Sequence, residues 1–222
     1  MTRLYLIGLT GQPGAGKDSC AEALRRHGYQ SIAFADSLRC EIAQAWRVDP
    51  RMLCDRPTKE WPLPALAIGM CDDTRFLRWA VYNGHSLHEP RSARWLMQHW
   101  GTEYRRATDP TYWVDRAHDT VLAHMERGQR RFVITDVRFD NEAALLREWN
   151  VDYTAQLWQV QRPGVTAATT TEGKHASATN GAAFAPDVVI TNAGTLDDLR
   201  AQVLGQWWAL EAGLDSVRVE PA

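Results

Sequence analysis

The run Gly8 to Cys20, GLTGQPGAGKDSC, holds the residues whose chemical use is plainest. Gly11, Gly16 and Lys17 satisfy the pattern G-x-x-x-x-G-K, a loop whose backbone N–H groups converge on phosphate oxygens while the lysine reaches the terminal phosphates. Gly14 and Ala15 keep the loop free of bulky side chains. Asp18 stands where the pattern expects a magnesium-binding hydroxyl, and Ser19 comes one position late. A carboxylate there could hold Mg²⁺ directly or through water, since hard oxygen ligands suit that ion. It could equally favour the positive start of its own helix. The residues alone leave both open.

Three further sets could do related chemistry. In FVITDVRFDNE an apolar strand ends in Asp136, as in a Walker B segment, where the carboxylate sits near a metal at a sheet's carboxyl edge. Arg138, two residues on, could clamp a phosphate bidentately. In EPRSARWLMQHWGTEYRRATDPTYWVDRA, Arg91, Arg94, Arg105 and Arg106 crowd a short span with Gln98, Trp100, Tyr104 and Trp113. Cations suit a phosphate, and an amide with aromatic rings suits a base; a solvated basic helix face is the plainer alternative. In QRPGVTAATTTEGKHAS, Arg162 and Lys174, with His175, bracket a segment of little apolar periodicity. Such a segment suits a lid, residues 163–183, that excludes water and brings cations to a transferring phosphoryl group. His85 and His88 have no recognisable metal-ligand partners at sequence spacing.

These residues need elements to hold them. LYLIGL (Leu4–Leu9) reads as a strand buried on both faces, followed by the loop and a helix ending near Gly28. YQSIAFAD reads as a second strand, and Ser37–Trp46 as a helix capped by Ser37 or Asp36. Residues 47–90, with five prolines, read as short helices and loops; two helices follow, with Gly101 and Gly128 as their stops. Then come a strand at Phe132–Thr135, a helix to about Trp149, a strand in TAQLWQVQRP, and a last strand and helix in DVVITNAGTLDDLRAQVLGQWWALEAG. Strands alternating with helices predict an α/β fold with a doubly wound parallel sheet. The expected organisation is one domain over residues 1–213, with an insert at 47–110, the lid, and a loose tail at 214–222.

Composition bounds the reading. At 222 residues, 45% hydrophobic and 23% charged, the chain suits one globular α/β domain, and a net charge of −2 argues against binding DNA through a basic surface. Cys20, Cys40, Cys54 and Cys71 form no C-x-x-C pair, so free thiols in a reducing cytoplasm are expected. No stretch approaches the ~20 apolar residues of a membrane span.

In this order, the sets resemble the bacteriophage deoxynucleoside monophosphate kinases, within the P-loop nucleoside monophosphate kinase superfamily. The resemblance rests on GLTGQPGAGKD, FADSLR, PRSARWLMQHWGTEYRRATDPTYWV, FVITDVRFDNEA, the QRPG…HAS stretch and DVVITNAGTLDDL, spanning residues 4 to about 204. It implies a three-layer α/β/α core with a five-stranded parallel sheet. It also implies ATP- and Mg²⁺-dependent phosphorylation of a dNMP to a dNDP, in the cytoplasm, which is the host's if the chain is of phage origin. By the same resemblance, Gly11 to Asp18, with Ser19, would bind ATP phosphates and magnesium, and Asp136 would serve as a second metal carboxylate. Lys17, Arg138 and Arg162 would be the catalytic cations. Asp36, Arg39, Arg91, Gln98, Arg106 and Arg138 would face the dNMP, with Asp136 beside it and Glu103 and Trp113 shaping its pocket. Arg162, Lys174 and His175 would belong to the lid, and Asn192 and Gly194 would lie beside adenine. Which base is accepted, canonical or modified, stays open, and a homodimer is compatible with the sequence. A kinase resembling dephospho-coenzyme A kinase, or one acting on modified bases within DNA, is the alternative. A GTPase is disfavoured because no N-K-x-D motif is present.

Overall fold

Five short apolar segments pair into one wholly parallel sheet in the order β2-β3-β1-β4-β5. They are β1 (Tyr5–Thr10), β2 (Gln30–Ile32), β3 (Arg131–Ile134), β4 (Thr154–Gln161) and β5 (Val188–Thr191). The structure, a computed structural model, describes residues 3–54, 59–149, 153–164 and 185–213. β1 is paired on both sides, Gly8 standing opposite Ile134 of β3 and Leu157 of β4. That central place is why its sequence is a continuous apolar run rather than an alternating one.

The two faces of the sheet divide by the two-residue period of a strand. Ile7, Leu9, Val133, Trp158 and Val160 share a core with Cys20 and Leu24 of α1 (Lys17–Arg25) and Leu199, Val203 and Leu210 of α7 (Leu196–Ala212). The opposite face receives α6 (Asp140–Trp149). A Cβ on Gly8 would stand 2.2 Å from Leu146 Cδ1, so α6 lies nearly against the strand backbone. Helices on both faces make the three-layer α/β/α arrangement that the alternating pattern predicts. α7 starts on a capping box between Thr195 and Asp198 and stops at Gly213, whose φ is 68°.

The chain divides into two compact units, one of residues 1–33 with 118–222, the other Phe34–Ala117. The insert expected at 47–110 falls within the second. Among its described residues that unit contains α2 (Phe34–Trp46), three 3-10 turns, α3 (Thr74–Tyr82), α4 (Ala93–Gln98) with a π-helical continuation (His99–Arg106), and the start of α5 (Tyr112–Glu126). Its core is aromatic: Trp46 and Trp100 meet edge to face at 5.4 Å, and Phe76 lies 4.9 Å from Trp100 and 5.6 Å from Trp46.

Two boundaries differ from the sequence reading. β2 ends at Ile32 and α2 begins at Phe34, so Asp36 and Ser37 lie in the first turn of the helix and are not its caps. Phe34, Ile42 and Trp46 are all buried at helical spacing, and that shared face draws FAD into the helix. Gly101 does not stop a helix, because α4 runs on through it as the π segment. A Cβ there would stand 3.0 Å from Leu38 Cδ2, and the Gly101 carbonyl accepts a hydrogen bond from Trp113 Nε1 at 2.9 Å. The glycine serves close approach of α2. The four cysteines are free, with Cys20 and Cys71 buried. Among the described residues no helix is long and apolar enough to cross a membrane.

Arg131 and α7 are joined by a bidentate pair, Nε and Nη2 of Arg131 donating to Glu211 at 2.6 and 3.0 Å. Burial alone would raise the Glu211 carboxyl, but donors from Arg131 and Trp207 outweigh it and hold it below its ordinary 4.5. A carboxyl lowered on folding stabilises above its unfolded pKa, and that contribution is lost as pH falls below 4.5 through the folded value. Glu211→Gln is therefore expected to flatten the acid limb of stability below about pH 4.5, read as urea midpoints at stepped pH. An unchanged acid limb would contradict it.

Candidate functional site

In the first unit all five strands point the same way, so the segments following β1, β3, β4 and β5 emerge at one edge of the sheet. The chain moves from β1 through β2 to β3 on one side of β1, then from β4 to β5 on the other. The loop after β1 therefore sits at the topological switch point, where open α/β sheets bind ligands.

That loop has the backbone its glycines predict. Gly11, Gly14 and Gly16 have φ of 136°, 80° and 112°. A Cβ on Gly11 would stand 2.2 Å from the Val160 carbonyl oxygen, and one on Gly16 2.6 Å from Asn192 Nδ2. At Gly11 and Gly16 the conformation and the close approach both require glycine. Lys17 Nζ donates to the carbonyls of Gly11 at 2.6 Å and Gln12 at 3.0 Å, holding the ammonium over the loop. Lys17 opens α1, directly after Gly16 at the N-cap; Asp18 is exposed in the first turn, and Ser19 is half-buried. Ala15 is buried beneath, and its carbonyl accepts from Asn192 Nδ2 at 2.8 Å. Asn192, expected beside adenine, thus also braces the loop from the end of β5. Gly194 is exposed two residues on.

The segment after β3 is tied to the same edge by the Val137 N–H, which donates to the Leu9 carbonyl at 3.1 Å. Asp136 is half-buried there and Arg138 is exposed. A carboxylate that carried no role in the sequence reading shapes this turn. Glu142 is 2% exposed and accepts the backbone N–H groups of Arg138 at 2.8 Å and Phe139 at 3.1 Å. Its signal was available: a glutamate at the third position of α6, reaching back to the residue before the helix, is half of a capping box. Arg162 is exposed at the end of β4. Lys174 and His175, and with them almost all of the expected lid, lie outside the described residues, as does the tail at 214–222.

In the second unit, Asp36 and Arg39 pair at 2.8 Å on the first turns of α2. Arg91 packs over Trp95, its guanidinium carbon 4.3 Å from the ring, and pairs with Glu89 at 2.9 Å. Nε of Arg39 and Nε of Arg91 are buried and donate to no group among the described residues. Buried donors left over in this way match an anionic ligand. Gln98 Nε2 donates to Glu103 Oε1 at 3.2 Å. Arg106 closes the π segment, half-buried. Trp113 is itself buried, so it would shape a pocket only from behind, through Gly101.

Glu41, which no sequence signal marked, joins three segments. It accepts from Trp100 Nε1 at 3.1 Å, Arg105 Nε at 3.2 Å and Tyr112 Oη at 2.5 Å. Arg105 also packs over the rings of Trp100, Tyr104 and Tyr112. The two adjacent arginines are thereby distinguished, Arg105 belonging to the frame of the unit.

A glycine loop with its lysine, at the carboxyl edge of a parallel α/β sheet, marks the phosphate-loop class of nucleotide-binding folds. A family model for deoxynucleotide monophosphate kinase matches residues 77–203, more than half of the chain. The chain belongs to the deoxynucleotide monophosphate kinase family and is a phosphotransferase. The glycine loop lies N-terminal to the matched span. No curated protein matches the sequence. Among solved structures, TT1252 from Thermus thermophilus is 17% identical, with a TM-score of 0.48, over 96% of this chain and 99% of that one. Dephospho-CoA kinase from Campylobacter jejuni is 15% identical, with a TM-score of 0.44, over 92% and 96%.

Proposed function

We propose that the chain transfers the γ-phosphoryl group of ATP to a deoxynucleoside monophosphate, giving ADP and a dNDP. The observation that carries this reading is the loop itself: left-handed glycines where a side chain would collide, with Lys17 held over the turn. The residues fit the groups proposed for them. The oxygens of Asp18, Ser19 and Asp136 are hard donors of the kind Mg²⁺ takes, and Gly11 to Lys17 offers backbone N–H groups and a cation for ATP phosphates. Bound Mg²⁺ supplies charge neutralisation on the donor's phosphates.

The chain's own groups orient and neutralise. An oxygen of the acceptor phosphate attacks the γ-phosphorus, and the bond from that phosphorus to the β–γ bridging oxygen breaks. The acceptor's second ionisation lies at about pH 6, so it is largely a dianion at neutral pH and needs no general base. Lys17, Arg138 and Arg162 are assigned to the transferring phosphoryl charge. Asp36, Arg39, Arg91, Gln98, Glu103, Arg106, Asp136 and Arg138 are assigned to the dNMP, and the buried Nε atoms of Arg39 and Arg91, without acceptors among the described residues, support a role for these two on its phosphate. Asn192 and Gly194 are assigned to the ATP side, and Lys174 and His175 to the lid. The role we assign is supply of dNDPs for phage DNA synthesis, which the sequence resemblance supports; canonical and modified dNMPs are both candidate acceptors.

The test is ATP consumption coupled to ADP release across dAMP, dGMP, dCMP, dTMP and modified dNMPs, with ribonucleotides, dephospho-coenzyme A and DNA as controls. One or more dNMPs should be preferred acceptors. Arg91→Lys, which keeps the charge but loses the planar fork, should raise KM for the dNMP about tenfold, with KM for ATP little changed. Preferred phosphorylation of dephospho-coenzyme A, or label appearing in DNA, would replace this reading.

A further inference from the structure

The second unit brings together three side chains that sequence spacing keeps apart. One ligand atom each of His85, His99 and Glu103 lies within 4.8 Å of both others. We propose that these residues form a binding site for a borderline transition-metal ion of the zinc type, with its fourth position open to water. It is separate from the magnesium ascribed to phosphoryl transfer; it shares Glu103 with the pocket proposed for the dNMP, so it is tested without nucleotide and does not depend on the kinase reading.

The donor set and its surroundings both point this way. Two imidazoles and a carboxylate suit Zn²⁺ or Co²⁺, whereas Mg²⁺ takes oxygen ligands. Ligands held at about 2.0–2.1 Å in a tetrahedron stand about 3.4 Å apart, and His99 Nε2 lies 3.5 Å from Glu103 Oε2. The outer contacts already orient these atoms. His99 Nδ1 is 2.9 Å from the Trp95 carbonyl oxygen. A carbonyl only accepts, so Nδ1 carries the proton and Nε2 of the neutral ring presents its lone pair on the Glu103 side. Glu103 Oε1 accepts a hydrogen bond from Gln98 Nε2, leaving Oε2 towards His99. His85 is placed by its backbone N–H, which donates to the Ala80 carbonyl at 2.9 Å. Its ring stands 5.2 Å from that of His99 and perpendicular to it. Trp95 stacks on His99 at 3.7 Å and Trp79 lies 5.6 Å from His85, so aromatic walls limit how far either imidazole can turn away. The nearby Arg91 guanidinium is paired with Glu89, which offsets its opposition to a cation. A plain His99–Glu103 ion pair leaves the approach of His85 to both groups without a reason.

The test uses the full chain without nucleotide, carrying Cys40→Ser and Cys54→Ser to remove the two exposed thiols. Zn²⁺ should bind at one ion per chain by calorimetry, and Co²⁺ should give the intense visible absorption of a tetrahedral site that excess Mg²⁺ does not bleach. His85→Ala, His99→Ala and Glu103→Gln should each weaken binding at least about tenfold, the least expected for losing a ligand's support. His88→Ala, at an exposed neighbour, should leave it unchanged. Glu103→Gln keeps the shape of an exposed side chain, so it reports even if a histidine variant misfolds. Zinc affinity equal in Glu103→Gln and the parent, or no binding in the parent, would overturn the site whatever the kinase assay shows.

Discussion

Replacing Lys17 with alanine is expected to lower kcat at least about 100-fold, the scale seen when one preorganised electrostatic donor is removed. The ammonium contacts two loop carbonyls, at 2.6 and 3.0 Å. On the proposed reading its loss removes the cation assigned to the transferring phosphoryl group. The comparison needs both readings: turnover with the best dNMP, and a thermal melt of the same preparation. A near-parental kcat would move the catalytic site away from this loop; a collapsed melt would make the lysine structural. The same assay titrated with Mg²⁺ separates the carboxylates. A metal ligand at Asp136 or Asp18 raises the Mg²⁺ needed for half-maximal rate when changed to asparagine. An Asp18 that only favours its helix leaves that requirement unchanged, since its effect is on the first turn alone.

Gly11→Ala should remove activity as completely and also cost stability. Its φ of 136° is closed to a residue with a side chain, and the added carbon would meet the Val160 carbonyl oxygen at 2.2 Å. The opposing atom is backbone of a buried strand and cannot swing aside, so the loop must leave β4. Strained backbone of this kind costs about 1–3 kcal/mol, which for a chain of this size lowers Tm by roughly 2–12 °C. Gly14 is the internal control. Its φ of 80° is also left-handed, but a Cβ there meets nothing within 4 Å. Gly14→Ala should cost only the conformational penalty and keep most of the activity. Equal effects at the two glycines would show that the loop is not held against β4 as described.

The contrast between those glycines shows what was legible in the sequence. The phosphate-loop pattern names Gly11 and Gly16, because spacing along the chain is enough to specify a turn between a strand and a helix. It does not rank them against Gly14, since the ranking depends on β4 and β5, contributed about 150 residues later. Asn192 followed the same course. Its place after the last strand was readable, while its hydrogen bond to Ala15 depended on which strand lies beside which.

Local and periodic information in this chain determined the five parallel strands, the helices between them, the glycine loop with Lys17, and Asp136 at the end of its strand. Each follows from residues within one element, where apolar period and turn chemistry act over a few positions. Tertiary structure alone decided that Phe34 starts a helix, that Gly101 is passed by one, that Glu41 and Glu142 hold the frame, and that His85 meets His99 and Glu103. Those outcomes turn on burial and on partners distant in sequence, and the energy of a packed face or a satisfied buried carboxylate exceeds the local preference that a short stretch expresses.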